Sequence, residues 1–223
     1  MSLFHNPSIV TNEMILNVDA ANVRSYSGSG TNWFDLSGQN NTGVLTNGPT
    51  YSSANGGYIA LDGVNDCVLI NSNASIMSNS TYTKLAWCYF TSFGTGNNII
   101  SGGNLGTNHA LFLAQTNIVY AGHNGSWFTV QSTSTLSLNT WYYIGVTFSS
   151  ATGWIIYING SASGTSANTT QFTAGQGEIL LGAYGTGTNV LTGRIANASV
   201  YNRVLSAAEV SQNFNALRAR FGV

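Results

Sequence analysis

The stretch WYYIGVTFSSATGWIIYING, residues 141–160, carries the patterns on which the fold turns. Tyr142, Ile144, Val146 and Phe148 recur with period two, so they share one face of an extended segment and predict a half-buried strand over 141–148. Trp154-Ile155-Ile156-Tyr157-Ile158 is apolar on both faces, as a central strand is, and runs into Asn159-Gly160, a pair suited to a tight hairpin turn. Working outward, short apolar runs bounded by Gly, Asn, Ser and Asp recur about every ten residues, the spacing of a sandwich or barrel. The predicted strands are 14–19, 43–46, 58–62, 66–70, 83–90, 97–101, 109–115, 118–122, 127–131, 141–148, 154–158, 178–182 and 193–201. Asn124-Gly125, between Val119-Tyr120 and Trp127-Phe128, marks a second hairpin.

Only the C-terminus reads as helix. Ser206 followed by Glu209 is a capping box, and Val210, Phe214, Leu217 and Phe221 recur at helical spacing over about 206–220. Arg218 and Arg220 suit the C-terminal end, and Gly222 its stop. The apolar face of this helix has two candidate partners, its own sandwich or a neighbouring subunit. Residues 1–13 precede the first good strand, contain Pro7 and read as an arm; residues 14–223 form one domain, with no internal repeat or linker.

Composition narrows the functional classes. Lys and Arg number 6 and Asp and Glu 7 in 223 residues, or 6% charged, against about 25% in an average soluble domain. Solubility therefore rests on Ser, Thr, Asn and Gly. A net charge of −1 and the lack of any basic run exclude nucleic acid as a partner, and no apolar stretch approaches the ~20 residues of a membrane span. The first residues have neither a basic segment nor a continuous apolar segment, so no secretory leader is expected. Cys67 and Cys88 lie in apolar runs, as buried thiols do; a disulfide between them is the alternative.

Six segments then match a family pattern in order and spacing: MILNVDAANVRSYSGSGTNWFDLSGQNNTGVLTNGPTY (14–51), YIALDGVNDCV (58–68), LSLNTWYYIGVTF (136–148), WIIYING (154–160), ILLGAY (179–184) and TGRIANASVYNRVLSAAEV (192–210). Together they resemble the concanavalin A-like, laminin-G-like jelly-roll domains found in bacteriophage structural proteins. The resemblance implies an all-β, two-sheet antiparallel jelly-roll sandwich with one short C-terminal helix. The fold serves glycan binding, protein interaction and sometimes catalysis. Cys67 departs from the family, which usually carries an aromatic residue there.

Chemistry-bearing residues are few. A jelly-roll glycosidase needs two carboxylates flanking the scissile bond, usually presented at alternating positions of one strand, and no such strand exists here. His5, His109 and His123 fall in no nucleophile motif and have no zinc spacing, so they read as surface or hairpin-edge imidazoles. If 43–46 pairs with 58–62, the loop holding Asp35 and Asn40 meets the turn Asp62–Asp66, and these four residues form a hard-oxygen site of the calcium type; relatives of the fold that bind calcium at a rim loop point the same way. The competing reading is that Asp and Asn shape turns through their own hydrogen bonds. For sugar binding the candidates are Trp127, His123 and Asn124 at one hairpin tip, with Phe128 beside them, and Tyr184 in the Gly-rich loop; the competing reading of Trp127 is cross-strand packing.

The expected function is a non-catalytic phage virion module, a capsid decoration or fibre-associated domain, that binds a glycan or another virion protein. It is expected to reside in the virion and to be able to form a homo-oligomer. A free carbohydrate-binding lectin, with or without calcium, is the alternative, and a glucanase-type hydrolase the third reading.

Overall fold

The computed structural model describes residues 7–71, 77–94, 96–102, 109–113, 116–123, 125–172, 178–185 and 189–223. In chain order the strands are β1 (Met14–Asp19), β2 (Asn32–Trp33), β3 (Gly43–Thr46), β4 (Thr50–Ser52), β5 (Tyr58–Asp62), β6 (Cys67–Asn71), β7 (Thr81–Phe90) and β8 (Asn97–Gly102). They continue as β9 (His109–Leu113), β10 (Val119–His123), β11 (Ser126–Gln131), β12 (Trp141–Ser149), β13 (Gly153–Ile158), β14 (Ser161–Ser166), β15 (Glu178–Leu181) and β16 (Thr192–Tyr201), before helix α1 (Ala207–Leu217). The first sheet runs β14-β13-β12-β7-β16-β5-β4, and β1 pairs with the far half of β16. The second runs β11-β10-β9-β8-β15-β6-β3-β2. All ladders are antiparallel, as in a jelly-roll sandwich.

Three strands escape the sequence pattern: β2, β4 and β14. Each is the outermost strand of a sheet. An edge strand is half solvated and held by backbone pairing on one side, so it needs no apolar run; β14 reads SASGTS. The Asn159-Gly160 turn forms as expected, with φ of 50° and 78°, the left-handed pair of a type I′ hairpin.

The expectation of a half-buried β12 is overturned. Ile144, Val146 and Phe148 join the core between the sheets, while Trp141 and Tyr143 on the opposite face are buried as well. The cause is α1. Its Phe214, with Phe221 just beyond, lies on the outer face of the first sheet, the Trp87 ring stacking on Phe214 at 5.6 Å and on Phe221 at 4.1 Å between centroids, with Trp141 at 4.7 Å from Phe221. The helix thus packs on its own sandwich. Its capping box forms in both directions, Glu209 N donating to Ser206 Oγ at 3.3 Å and Ser206 N to Glu209 Oε2 at 2.8 Å. The described part of the arm straps the same helix: Val10 N donates to Asn213 Oδ1 at 2.7 Å, and Ile9 and Val10 pack on this second core. Arg220 ties the chain end to β1 through Asp19 at 2.8 Å.

Cys67 and Cys88 are free and buried. Truncating Phe221, which is 7% exposed, removes the plate that covers Trp87 and Trp141. Phe221→Ala should cost about 3 kcal/mol in urea unfolding and lower Tm; an unchanged midpoint would show that the helix is not part of the cooperative unit.

Candidate functional site

β10 and β11 carry the sugar candidates. Val119 and Ala121 face the core between the sheets, Tyr120 faces out, and the alternation carries His123 inward. His123 is therefore a core residue, a correction to its expected place at a hairpin tip: its Nε2 donates to the Thr170 carbonyl, and its ring packs against Trp154 at 4.7 Å and Phe148 at 5.0 Å. Asn124 lies outside the described residues. Trp127 and Tyr184, distant in sequence, do meet, their rings 5.2 Å apart in an edge-on arrangement. Gly122 permits this. A Cβ there would lie 2.0 Å from the Ser126 carbonyl oxygen, so only glycine lets β11 cross so close.

The remainder of Trp127 lines an open groove of about 380 Å³ together with Phe128, Ser126, Thr129, Ser166 and Asn168. Phe128 is 63% exposed and meets Tyr120 at 4.8 Å and Phe112 at 5.7 Å. The sequence reading placed Phe128 at the hairpin but missed Tyr120 and Phe112 beside it, because the three come together only across three strands, in a ladder that pairs Tyr120 with Phe112. An exposed aromatic face flanked by hydroxyl and amide groups can stack on a pyranose ring and hydrogen-bond its hydroxyls. Asn168 accepts Thr170 N at 2.9 Å through Oδ1, which leaves its amide N–H groups without a partner among the described residues.

The expected calcium site does not assemble. β3 pairs with β2 and β6, and β5 with β4 and β16, so the pairing of 43–46 with 58–62 on which it rested is absent. Asp35 sits before β3 and Asp66 beside its far end, because Asn41 N donates to Asp35 while Thr46 pairs with Cys67. Both Asp35 oxygens are occupied, Oδ1 by the amides of Asn17 and Ser37 at 2.8 and 2.9 Å, and Oδ2 by Ser37 Oγ and Asn41 N at 2.6 and 3.0 Å. Asn40 is an exposed left-handed turn residue, φ 59°. Asp62 and Asp66 do adjoin, Asp62 N donating to Asp66 Oδ2 at 3.1 Å and Asp62 Oδ1 accepting Val64 N at 2.8 Å. Burial, and then the charge of Asp62, lift the Asp66 carboxyl above its ordinary value. The four residues shape turns. No group of three or more His, Cys, Asp or Glu among the described residues fits a metal ion.

A cluster that the sequence reading did not anticipate lies between the sheets. β7 turns Tyr82, Lys84, Ala86, Cys88 and Phe90 inward, so the chain's single lysine is buried. Its Nζ donates to the Ile100 carbonyl at 3.1 Å and contacts His109 Nδ1 at 2.5 Å. His109 pairs directly across β9 and β10 with His123, and Phe172 packs on both rings. Both histidines are thus buried, not at the surface. Burial holds Lys84 far below its usual value and His109 below the usual imidazole range, and pushes His123 down to about 4 despite its bond to Thr170. One signal for Lys84 was legible: a lone lysine inside TYTKLAWCYF shares parity with Tyr82, Ala86 and Cys88.

Each of these bases has a folded-state value below its unfolded one, so the unfolded chain binds more protons and stability is lost as pH falls. For His123 the window runs from about 6.5 down to about 4. For Lys84 it begins near the free lysine value of about 10. Wild-type Tm should therefore rise as pH is raised from about 7 to about 8, below the range where the buried Cys67 and Cys88 thiols, pushed up by burial, pull stability the other way, and Lys84→Met should flatten that rise. An equal rise in the variant would place the titration elsewhere.

Residues 61–211 match the Concanavalin A-like lectin/glucanases superfamily, of the laminin G type. No curated protein matches the sequence. Among solved structures, the binding domain of botulinum neurotoxin DC in complex with SialylT superposes with a TM-score of 0.72 at 14% identity, covering 93% of this chain and 52% of that one. The same binding domain in complex with rat synaptotagmin II gives 0.70 at 14%, covering 93% and 52%. A mutant Trypanosoma rangeli sialidase displaying trans-sialidase activity gives 0.72 at 13%, covering 97% and 35%. The chain spans about half the length of the toxin domains and about a third of the sialidase, and at these identities the likeness is one of fold.

Proposed function

Since the chain belongs to the concanavalin A-like lectin/glucanases superfamily, we propose that it is a non-catalytic carbohydrate-binding domain whose sugar site is the Trp127 groove. The observation that carries this reading is Phe128, a large ring 63% exposed beside Trp127 in a groove otherwise lined by hydroxyl, amide and backbone groups. A binding role is in keeping with the structural neighbours, toxin binding domains captured with SialylT and with rat synaptotagmin II, of which this chain spans about half.

Its non-catalytic character is supported by the employment of its acids. Asp19 is paired with Arg220 and Glu209 with Arg203; Asp35, Asp62 and Asp66 brace turns; and no carboxylate among the described residues lines the groove. The binding is metal-independent in this reading, because the loop of Asp35 and Asn40 lies apart from Asp62 and Asp66. No helix among the described residues is long and apolar enough to cross a membrane. The sparsely charged, Ser/Thr/Asn-rich composition and the likeness of the segments to phage structural domains support a setting on a virion, as a capsid decoration or fibre-associated module. Detection in purified particles by mass spectrometry tests that setting; absence from them leaves a free lectin.

The direct test is a glycan array followed by calorimetry on the best ligand. Trp127→Ala and Phe128→Ala should each weaken binding about tenfold, the worth of one aromatic contact of about 1.4 kcal/mol, with Tm retained and chelator without effect. Binding that survives both substitutions would move the site off the groove. Hydrolysis of the bound oligosaccharide above background would replace the lectin reading with an enzymatic one.

A further inference from the structure

The outer face of the first sheet holds a second feature, away from the groove. Arg194 on β16 pairs across the sheet with Tyr89 on β7, and Tyr89 pairs in turn with Trp141 on β12. On its other flank β16 is joined to β5, where Tyr58 stands one alternation from Ala60, the partner of Arg194. The guanidinium carbon thus lies over two tyrosine rings, 4.3 Å from the Tyr89 centroid and 4.7 Å from that of Tyr58. Trp141 backs both tyrosines, at 5.4 and 5.9 Å, and is itself fixed by Phe221.

The Arg194 side chain has no hydrogen-bond or ion-pair partner among the described residues. Rings cover its flanks, so its five N–H donors act in its own plane, the geometry that binds a carboxylate through two parallel hydrogen bonds. The Tyr58 and Tyr89 hydroxyls are likewise without protein partners among the described residues. Asp62, the nearest acid along β5, turns its carboxylate into its own loop toward Val64 and Asn65.

We infer that Arg194, Tyr58 and Tyr89 form a second binding site, for a sugar unit that bears a carboxylate. The fork takes the carboxylate, and the phenol hydroxyls and ring faces meet the sugar hydroxyls and C–H groups. A peptide is a poorer occupant. β12, β7, β16 and β5 are each paired on both sides, so no free strand edge is available for backbone recognition.

The test is a titration of the isotope-labelled full chain with sodium glucuronate, with methyl glucoside as the uncharged counterpart and sodium acetate as the bare carboxylate, read at the arginine side-chain Nε–Hε signals. Glucuronate should move the Arg194 signal saturably in the millimolar range, methyl glucoside should not, and acetate should bind more weakly than glucuronate. Arg194→Lys keeps the charge and loses the fork; followed at the backbone amide signals of β16 and β7 beside residue 194, in both variant and wild type, it should bind about tenfold more weakly at unchanged Tm. In Trp127→Ala the Arg194 signal should move with glucuronate over the same concentration range as in wild type, because that signal reports its own site and not the groove. The inference is overturned by an unmoved Arg194 signal, by acetate binding as tightly as glucuronate, or by unaltered affinity in Arg194→Lys.

Discussion

Burial of the first sheet on both faces is the constraint from which the rest of the architecture follows. β7 lies inside that sheet and carries ten residues, alternate ones of which enter different cores: Tyr82, Ala86, Cys88 and Phe90 meet the second sheet, while Leu85 and Trp87 need a cover of their own. Helix α1, the chain end beyond it and the strap at Ile9 and Val10 provide that cover, centred on the stack of Trp87 with Phe214 and Phe221. An apolar sheet face left in water would be an aggregation surface, so the helix is as necessary to the sandwich as either sheet.

This arrangement makes the molecule asymmetric. One sheet has a helix packed on its outer face around Trp87 and Tyr143, and the other leaves rings such as Phe128 in solvent. The open face is where a stacking ligand finds aromatic surface. On the covered face, polar function is confined to what lies beyond the helix, where Arg194 is wedged between Tyr58 and Tyr89. The two surfaces differ in chemistry as well: the groove at β11 holds no charged side chain among the described residues, and the Tyr58–Arg194–Tyr89 row is built around one.

The interior carries a cost that packing alone does not explain. Lys84, His109 and His123 occupy positions that aliphatic residues fill elsewhere in the same strands, and the Tyr82 hydroxyl, Trp154 Nε1 and His123 Nδ1 are buried there without a partner among the described residues. Each unpaired polar group of this kind costs about 1–3 kcal/mol. Burial lowers the proton affinity of the amine and of both imidazoles, because desolvating a charge costs far more than leaving a polar group unpaired. The sandwich is therefore less stable in acid than its apolar core would make it.

Residues 141–160 made two strands and their turn legible, and the capping box at Ser206 and Glu209 made the helix start legible, because these features depend on neighbours within a few residues. Edge strands such as Ser161–Ser166 were illegible: they carry no apolar run, and only a partner's backbone makes them strands. The aspartates were half legible, since their turn-shaping role is local, whereas bringing Asp35 to Asp62 required a pairing that β6 pre-empts by taking β3 for itself. Period, turn residues and caps are properties of the chain alone, and they determined the all-β class and most of its elements, while the two-sheet jelly roll followed from the resemblance of six segments to a known family. Which strands neighbour each other, that His123 faces inward beside Lys84, that Trp127 meets Tyr184 and that Arg194 lies between two tyrosines were decided by tertiary structure, because the partners are far apart in sequence and only the sheet register brings them within a few ångströms.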